Sequence, residues 1–110
     1  MTNFKGTREA FAAAMMDMAE EREDIVVISP DSLKAMRAVP YGEKYPDRYL
    51  ECGIAEQGAV DAAAGLASAG LTPFIGTYCG FLTMRACEQM RTFVGYTNLN
   101  VKFVGVNAGL

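Results

Sequence analysis

The chain has 110 residues, of which 51% are hydrophobic and 21% are charged, and its formal net charge at pH 7 is −3. This size and balance predict one globular domain and exclude a disordered chain, while the acidic charge excludes a general nucleic-acid binder. The sequence contains no histidine. That excludes Ser-His-Asp and Cys-His nucleophilic sites, His-containing zinc sites and a histidine general base.

The first helix is predicted from Thr7 to about Arg22, with Thr7 as its N-cap. Its buried face is predicted from the i, i+3, i+4, i+7 spacing of Phe11, Ala14, Met15 and Met18. The β-branched run at residues 25–28 does not alternate with polar residues, which predicts a strand covered on both faces. Pro30 is expected to end that strand.

Residues 31–44 predict a short helix followed by a loop around Pro40-Tyr41-Gly42. Residues 45–47 predict a turn, and residues 48–52 a second, short strand. Gly53 is expected to break that strand before the next helix begins.

The second half of the chain predicts a helix over residues 54–69 that ends at Gly70, a strand over 72–77, a helix over 81–95 and a strand over 101–106. One side of the 81–95 helix is predicted to carry Met84, Cys87 and Met90. Strands that alternate with helices predict an α/β fold, a parallel sheet with flanking helices. The last strand lacks a following crossover helix, so we expect a partner chain to cover that edge or the sequence to be a fragment.

Compartment and membrane association follow from the cysteines and from one uncharged segment. Cys52, Cys79 and Cys87 form no CxxC pair and are odd in number, so we expect buried free thiols in a cytoplasmic protein rather than disulfides or zinc ligands. The N-terminus lacks the apolar segment of a signal peptide. Residues 62–84 carry no charge but include four glycines and a proline, so we expect buried helix and strand there and no membrane span.

The candidate site is the turn from the second strand into the helix that follows it, Glu51-Cys-Gly-Ile-Ala-Glu-Gln57. It has no P-loop or Rossmann glycine pattern, but it lies at the carboxyl end of a strand, where open α/β sheets bind ligands. Glu56 has two interpretations. It is either a surface carboxylate that matches the helix dipole, or a desolvated group that exchanges a proton with a ring nitrogen of a bound heterocycle. The small residues that follow it suit a packed interface and favour the second interpretation.

Two aromatic residues, Tyr78 and Phe81, flank Gly80 at the end of the third strand. Their spacing is compatible with packing against a planar ligand ring and equally with ordinary core packing. The residues alone leave both interpretations open.

Several segments together resemble the pyrimidine-binding domain of the transketolase family. They are Cys52-Gly-Ile-Ala-Glu-Gln57, Ala63-Ala-Gly-Leu-Ala-Ser-Ala-Gly70 with Thr72-Pro73-Phe74, FLTMRACEQMR at residues 81–91 and YTNLNVKFVGVNAGL at residues 96–110. The resemblance extends over essentially the whole chain. It is greatest to the C-terminal subunit of split, two-polypeptide bacterial transketolases.

The resemblance implies thiamine diphosphate as cofactor. In that family the glutamate matched by Glu56 hydrogen-bonds N1′ of the aminopyrimidine, which favours the imino tautomer that deprotonates thiazolium C2. The carbanion then moves a two-carbon ketol unit from a ketose to an aldose, both as sugar phosphates. By the same likeness Tyr78 and Phe81 line the aminopyrimidine pocket, and Asp31 lies near the cofactor.

The resemblance also implies substrate contacts and partners. Arg8 matches an arginine that contacts a sugar phosphate, and Asn107 stands where many members have a substrate-facing histidine. The diphosphate and its Mg²⁺ are held in this family by a separate domain with a Gly-Asp-Gly motif, which this chain lacks. We therefore expect one truncated pyrimidine-binding domain over residues 1–110, without metal ligands. We expect it to act only in a homo- or hetero-oligomer with a diphosphate-binding subunit.

Three alternatives remain at this point. A sister enzyme such as deoxyxylulose-phosphate synthase or the β-subunit of a 2-oxo acid dehydrogenase would share Glu56 and the fold. A non-catalytic assembly module would keep the fold and its interface. An unrelated flavodoxin-like module would bind flavin or nucleotide as an isolated chain.

Overall fold

A parallel sheet of four strands forms the centre of the computed structural model, which describes residues 6–109. The strands run in the order β2-β1-β3-β4, and every neighbouring pair is parallel. Their bounds are β1 Ile25–Ser29, β2 Tyr49–Glu51, β3 Thr72–Tyr78 and β4 Lys102–Val106. The predicted α/β class and parallel sheet are confirmed.

The helices lie on both faces of this sheet. Their bounds are α1 Thr7–Glu21, α2 Val39–Lys44 and α3 Glu56–Ser68, with a single 3-10 turn at Pro46–Arg48. Gly70 follows α3 with φ of +93°, the left-handed conformation predicted for it. Among the described residues, no helix combines the length and the apolar composition that crossing a bilayer would require.

The residues of β1 alternate between two separate cores, which explains why four successive residues of the strand, 25–28, are apolar. Val26 and Ile28 face the core under α3, and Ile25 and Val27 face the core under α1 and α2. The α3 core also contains Ala59, Val60, Ala63, Ile75, Leu82 and Val94. The α1 core also contains Met15, Ala19, Met36, Ala38, Tyr41 and Val106.

Helix α1 covers the predicted residues, but two details of the prediction are wrong. The N-cap is Gly6 rather than Thr7, because the Gly6 carbonyl already accepts the Ala10 N–H at 3.0 Å. Ala14 is exposed, whereas Met15 and Ala19 are buried. The buried face is therefore rotated slightly from the predicted one.

The predicted loop around Pro40-Tyr41-Gly42 is wrong, because these residues form α2. Pro40 lies in the first turn, where its missing N–H leaves no hydrogen bond unmade. Tyr41 is buried, and its hydroxyl donates to the Ile25 carbonyl at 2.9 Å. This tertiary contact, which local sequence does not reveal, fixes the helix against the first strand.

Residues 81–95 are helical over most of their length, with π-type hydrogen bonding at Phe81–Arg85 and Met90–Gly95 and an α-helical turn at Cys87–Gln89. The widened turns bury Leu82, Ala86 and Val94, which are separated by multiples of four residues. The side predicted to carry Met84, Cys87 and Met90 is mostly exposed: Met84 is 80% exposed, Cys87 is exposed, and Met90 is half-buried and packs against the α3 core.

The three cysteines are free, but they are less buried than predicted. Cys52 and Cys79 are half-buried and Cys87 is exposed. Cys79 packs closely against Gly105, because a Cβ added at Gly105 would lie 3.2 Å from the Cys79 Sγ. Cys87 lies on the outer side of the widened 81–95 segment, which accounts for the wrong prediction.

Candidate functional site

The candidate residues gather at the carboxyl edge of the sheet. Glu51 and Tyr78 are the last residues of β2 and β3, and Asp31 and Asn107 follow the ends of β1 and β4. Glu56 is the first residue of α3, which begins at the same edge. Parallel strands end together there, and the helix N-terminus adds unpaired backbone N–H groups. This edge is where the fold provides room for a ligand.

Glu56 is buried, as the second interpretation of the sequence predicts. The chain leaves β2 through Gly53, whose φ of +67° suits glycine, and the Ala55 N–H donates to the Gly53 carbonyl at 2.8 Å. This tight turn sets the Glu56 side chain inward, where it is only 3% exposed. The interpretation of Glu56 as a surface carboxylate is wrong.

Arg85 is the ion-pair partner of Glu56, and sequence reasoning missed it. Its Nη1 lies 3.0 Å from Glu56 Oε2, and its own side chain is 49% exposed. Burial disfavours a charged carboxylate, and the guanidinium opposes that penalty. One signal was available: Arg85 is the only Lys or Arg between Arg48 and Arg91.

Tyr78 and Phe81 lie at the surface of the protein rather than in the core. They are 40% and 43% exposed, and their rings meet edge to face with centroids 5.8 Å apart. The Arg85 guanidinium carbon lies 4.6 Å from the centre of the Phe81 ring. Because Arg85 touches both Phe81 and Glu56, the carboxylate and the aromatic pair lie at one site. The core-packing interpretation is wrong.

Asp31 is placed by Glu51, a second residue that sequence reasoning missed. Glu51 Oε1 accepts the N–H of Asp31 at 2.7 Å and that of Gly53 at 2.9 Å, and Oε2 accepts the Tyr49 hydroxyl. Partial burial opposes ionisation of Glu51, but these donors outweigh it and lower its pKa. Asp31 itself is exposed, with φ of +56°. Its contact is with the Glu51 carboxylate, so this loop lies at the β2 side of the edge.

Arg8 and Asn107 share a different part of the same edge. Both line a groove of about 390 Å³ between the start of α1 and the end of β4. Arg8 donates to the Ala35 carbonyl at 3.3 Å, and Asn107 is exposed with φ of +54°. Because α1 and α3 belong to the two different cores, this groove opens on the face of the sheet opposite to α3.

The described part of the chain contains no cluster of three or more His, Cys, Asp or Glu side chains that would hold a metal ion. Two of the acidic groups at the carboxyl edge, Glu51 and Glu56, accept hydrogen bonds from protein donors. Glu51 accepts two backbone N–H groups and a hydroxyl, and Glu56 accepts Arg85. The arrangement suits recognition of a polar heterocycle by one carboxylate oxygen and two aromatic rings.

Comparison with known proteins gives consistent matches. Residues 5–110 match the family model described as "Transketolase, pyrimidine binding domain". A putative transketolase C-terminal section from Methanocaldococcus jannaschii is 32% identical over 97% of this chain, which covers 34% of that protein. A 1-deoxy-D-xylulose-5-phosphate synthase from Cutibacterium acnes is 41% identical over 93% of this chain, which covers 16% of that protein.

A solved structure described as a split gene transketolase, inactive beta4 tetramer, matches with a TM-score of 0.82 and 36% sequence identity. The match covers 90% of this chain and 33% of that one. This chain thus spans about a third or less of the length of these relatives. The match of the family model over nearly every residue establishes that the chain belongs to the transketolase pyrimidine-binding domain family.

Proposed function

We propose that this chain is the pyrimidine-binding part of a thiamine-diphosphate-dependent transketolase that transfers a two-carbon ketol unit between sugar phosphates. The buried Glu56 carboxylate, only 3% exposed at the carboxyl edge of the sheet, carries the proposal. When bound, thiamine diphosphate supplies a stabilised carbanion that takes up and releases the ketol unit. Glu56 is the catalytic residue, and its task is to hydrogen-bond N1′ of the aminopyrimidine.

The pocket formed by Glu56, Arg85, Tyr78 and Phe81 has the hydrogen-bonding and aromatic groups that an aminopyrimidine requires. Glu56 Oε2 accepts a hydrogen bond from Arg85, while Oε1 accepts none from residues 6–109 and remains available to accept one from a protonated ring nitrogen. Tyr78 and Phe81 offer half-exposed aromatic surface beside it. A carboxylate kept from water forms stronger hydrogen bonds than an exposed one, so Glu56 suits this role.

The groove between α1 and β4 suits the substrate. Arg8 provides a cation for a phosphate group, and Asn107 provides amide donors and an acceptor for sugar hydroxyls. Asparagine does not titrate near neutral pH, so Asn107 orients the sugar without transferring a proton. We assign Asp31 to the cofactor, because it follows β1 on the side of the edge from which β2 leads to Glu56.

The diphosphate and its Mg²⁺ belong to a second domain in this proposal. Two relatives support it, because the protein named as a C-terminal section and the structure named as a split gene product are each matched over only about a third of their length. Apolar side chains near the pocket support it as well: Ile54 is 76% exposed and Met84 is 80% exposed. A diphosphate-binding subunit that covers them would close the site, in a homo- or hetero-oligomer acting in the cytoplasm.

Reconstitution tests the proposal. The chain is co-expressed with its diphosphate-binding subunit, and ketol transfer between sugar phosphates is measured with thiamine diphosphate and Mg²⁺. We expect Glu56→Gln to lower kcat at least 100-fold, because Gln is close in shape but lacks the charge. The matched control is Glu23→Gln, since Glu23 is exposed. A complex that binds the cofactor but is indifferent to Glu56→Gln would favour a non-catalytic assembly module and refute the proposal.

A second candidate function rests on the 41% identity to the 1-deoxy-D-xylulose-5-phosphate synthase of Cutibacterium acnes. That enzyme class would use the same pocket around Glu56, so Glu56 variants do not separate the two. The product does. Formation of 1-deoxy-D-xylulose 5-phosphate by the reconstituted complex, without ketol transfer between sugar phosphates, would assign the second function.

A further inference from the structure

The two oxygens of the Glu56 carboxylate have different surroundings. Oε2 is 3.0 Å from Nη1 of Arg85, while Oε1 accepts no hydrogen bond from any described residue. The carboxylate is 3% exposed and the arginine side chain 49% exposed. The guanidinium therefore binds one oxygen of the carboxylate, and the other oxygen has no hydrogen-bond donor among residues 6–109.

Arg85 is itself held from two directions. Its guanidinium carbon lies 4.6 Å from the centre of the Phe81 ring, a cation–π contact within the same helical turn. Its carbonyl oxygen accepts the Gln57 side-chain amide at 3.1 Å, which ties this turn to the start of α3. A guanidinium fixed in this way also fixes the carboxylate that it binds.

We propose that Arg85 is a positioning residue: it holds Oε2 of Glu56 so that Oε1 is presented, as a charged acceptor, to the N1′–H of the protonated ring nitrogen of the cofactor. This inference rests on the proposed function and adds a residue to it. Arg85 touches Glu56 rather than the reacting atoms, so its loss should impair activation of the cofactor more than binding of the cofactor. A salt bridge with a purely structural role would not show that difference.

The experiment uses the complex with the diphosphate-binding subunit, loaded with thiamine diphosphate and Mg²⁺. Calorimetry gives the Kd of the cofactor, and NMR gives the rate at which the C2 proton of the bound cofactor exchanges with deuterium. We expect Arg85→Met to slow exchange about 10- to 100-fold, the range for loss of a hydrogen bond to a charged group, and to change Kd less than about threefold. Arg85→Lys keeps the charge and should restore most of the rate.

Arg91→Met is the matched control, because Arg91 lies in the same helical segment and pairs with the exposed Glu88 at 2.8 Å. We expect it to change neither the exchange rate nor Kd, since exposed ion pairs contribute little. A second readout needs no cofactor. In the chain labelled with ¹³C at glutamate carboxyls, Arg85→Met should shift the Glu56 resonance and Arg91→Met should not.

Each outcome has one consequence. Exchange that stays at the wild-type rate in Arg85→Met, or falls only in proportion to cofactor binding, overturns the role of Arg85. If Arg85→Met does not fold, Arg85→Gln replaces it, since Gln keeps a donor and loses the charge, and the same 10-fold loss is expected. If the wild-type complex does not accelerate exchange at all, the proposed function itself fails.

Discussion

Replacing Glu51 with alanine should loosen the two loops that frame the candidate site. The Glu51 carboxylate accepts the N–H groups of Asp31 and Gly53 at 2.7 and 2.9 Å and the Tyr49 hydroxyl. Burial, and then the hydrogen bond to Glu51, raise the pKa of Tyr49 to about 12, so its hydroxyl remains a donor at neutral pH. At about 0.5–1 kcal/mol for each bond to this largely exposed carboxylate, Glu51→Ala should destabilise the chain by about 2 kcal/mol.

Urea unfolding of Glu51→Ala and Tyr49→Phe at pH 7 checks this value. Tyr49→Phe removes only one of the three hydrogen bonds, so its loss in free energy of unfolding should be about a third of the loss for Glu51→Ala. The donors lower the folded-state pKa of Glu51 below its ordinary 4.5, so its contribution is present above that pH and lost as pH falls through the folded value. If the two variants lose the same free energy of unfolding, or if Glu51→Ala loses the same amount at pH 7 and pH 3, the hydrogen bonds to the charged Glu51 carboxylate do not stabilise the chain as described.

Three further substitutions test the fold. Tyr41→Phe removes the buried hydrogen bond to the Ile25 carbonyl and should cost about 1 kcal/mol in urea unfolding, whereas an unchanged midpoint would mean that the bond contributes nothing. Gly76→Ala should cost about 1–3 kcal/mol in the same assay, because the new Cβ would lie 1.8 Å from Met36 Sδ, and a neutral effect would contradict that packing. Hydrogen bonds from Arg22 and Thr72 lower the pKa of Asp24 to about 2. Asp24→Asn should therefore lower the free energy of unfolding above pH 4, and its difference from wild type should vanish as pH falls towards 2. A difference that persists at pH 2 would exclude that explanation.

The sheet was predictable because its signals are local. The uninterrupted β-branched residues of β1 belong to a strand buried on both faces, and glycines mark where β2 and α3 end. The widened 81–95 segment was not predictable in this way. Its buried residues Leu82 and Ala86 have the i, i+4 spacing that an ordinary α-helix also allows, so the sequence spacing did not separate their side from the side that carries Met84.

The candidate site was predictable in part. The position of Glu56 at the start of the helix that follows β2 pointed to the site, and the aromatic residues Tyr78 and Phe81 were recognised beside Gly80, with their role in the pocket implied by the family resemblance. Arg85 and Glu51 were missed because their importance lies in contacts over long sequence separations or with backbone N–H groups. The Arg85–Glu56 pair spans 29 residues, and Glu51 reaches the N–H of Asp31 across 20 residues. Neither pairing has a spacing that periodicity would reveal.

Glu56 is proposed to bind the aminopyrimidine nitrogen, and the distance between these two groups in the assembled complex decides whether it does. A crystal structure of the complex with the diphosphate-binding subunit, thiamine diphosphate and Mg²⁺ would give the distance between Glu56 Oε1 and N1′. We expect a hydrogen bond of about 2.5–2.9 Å between Glu56 Oε1 and N1′, with Arg85 still bound to Oε2. A cofactor ring bound elsewhere, with Glu56 Oε1 beyond hydrogen-bonding reach of N1′, would contradict it.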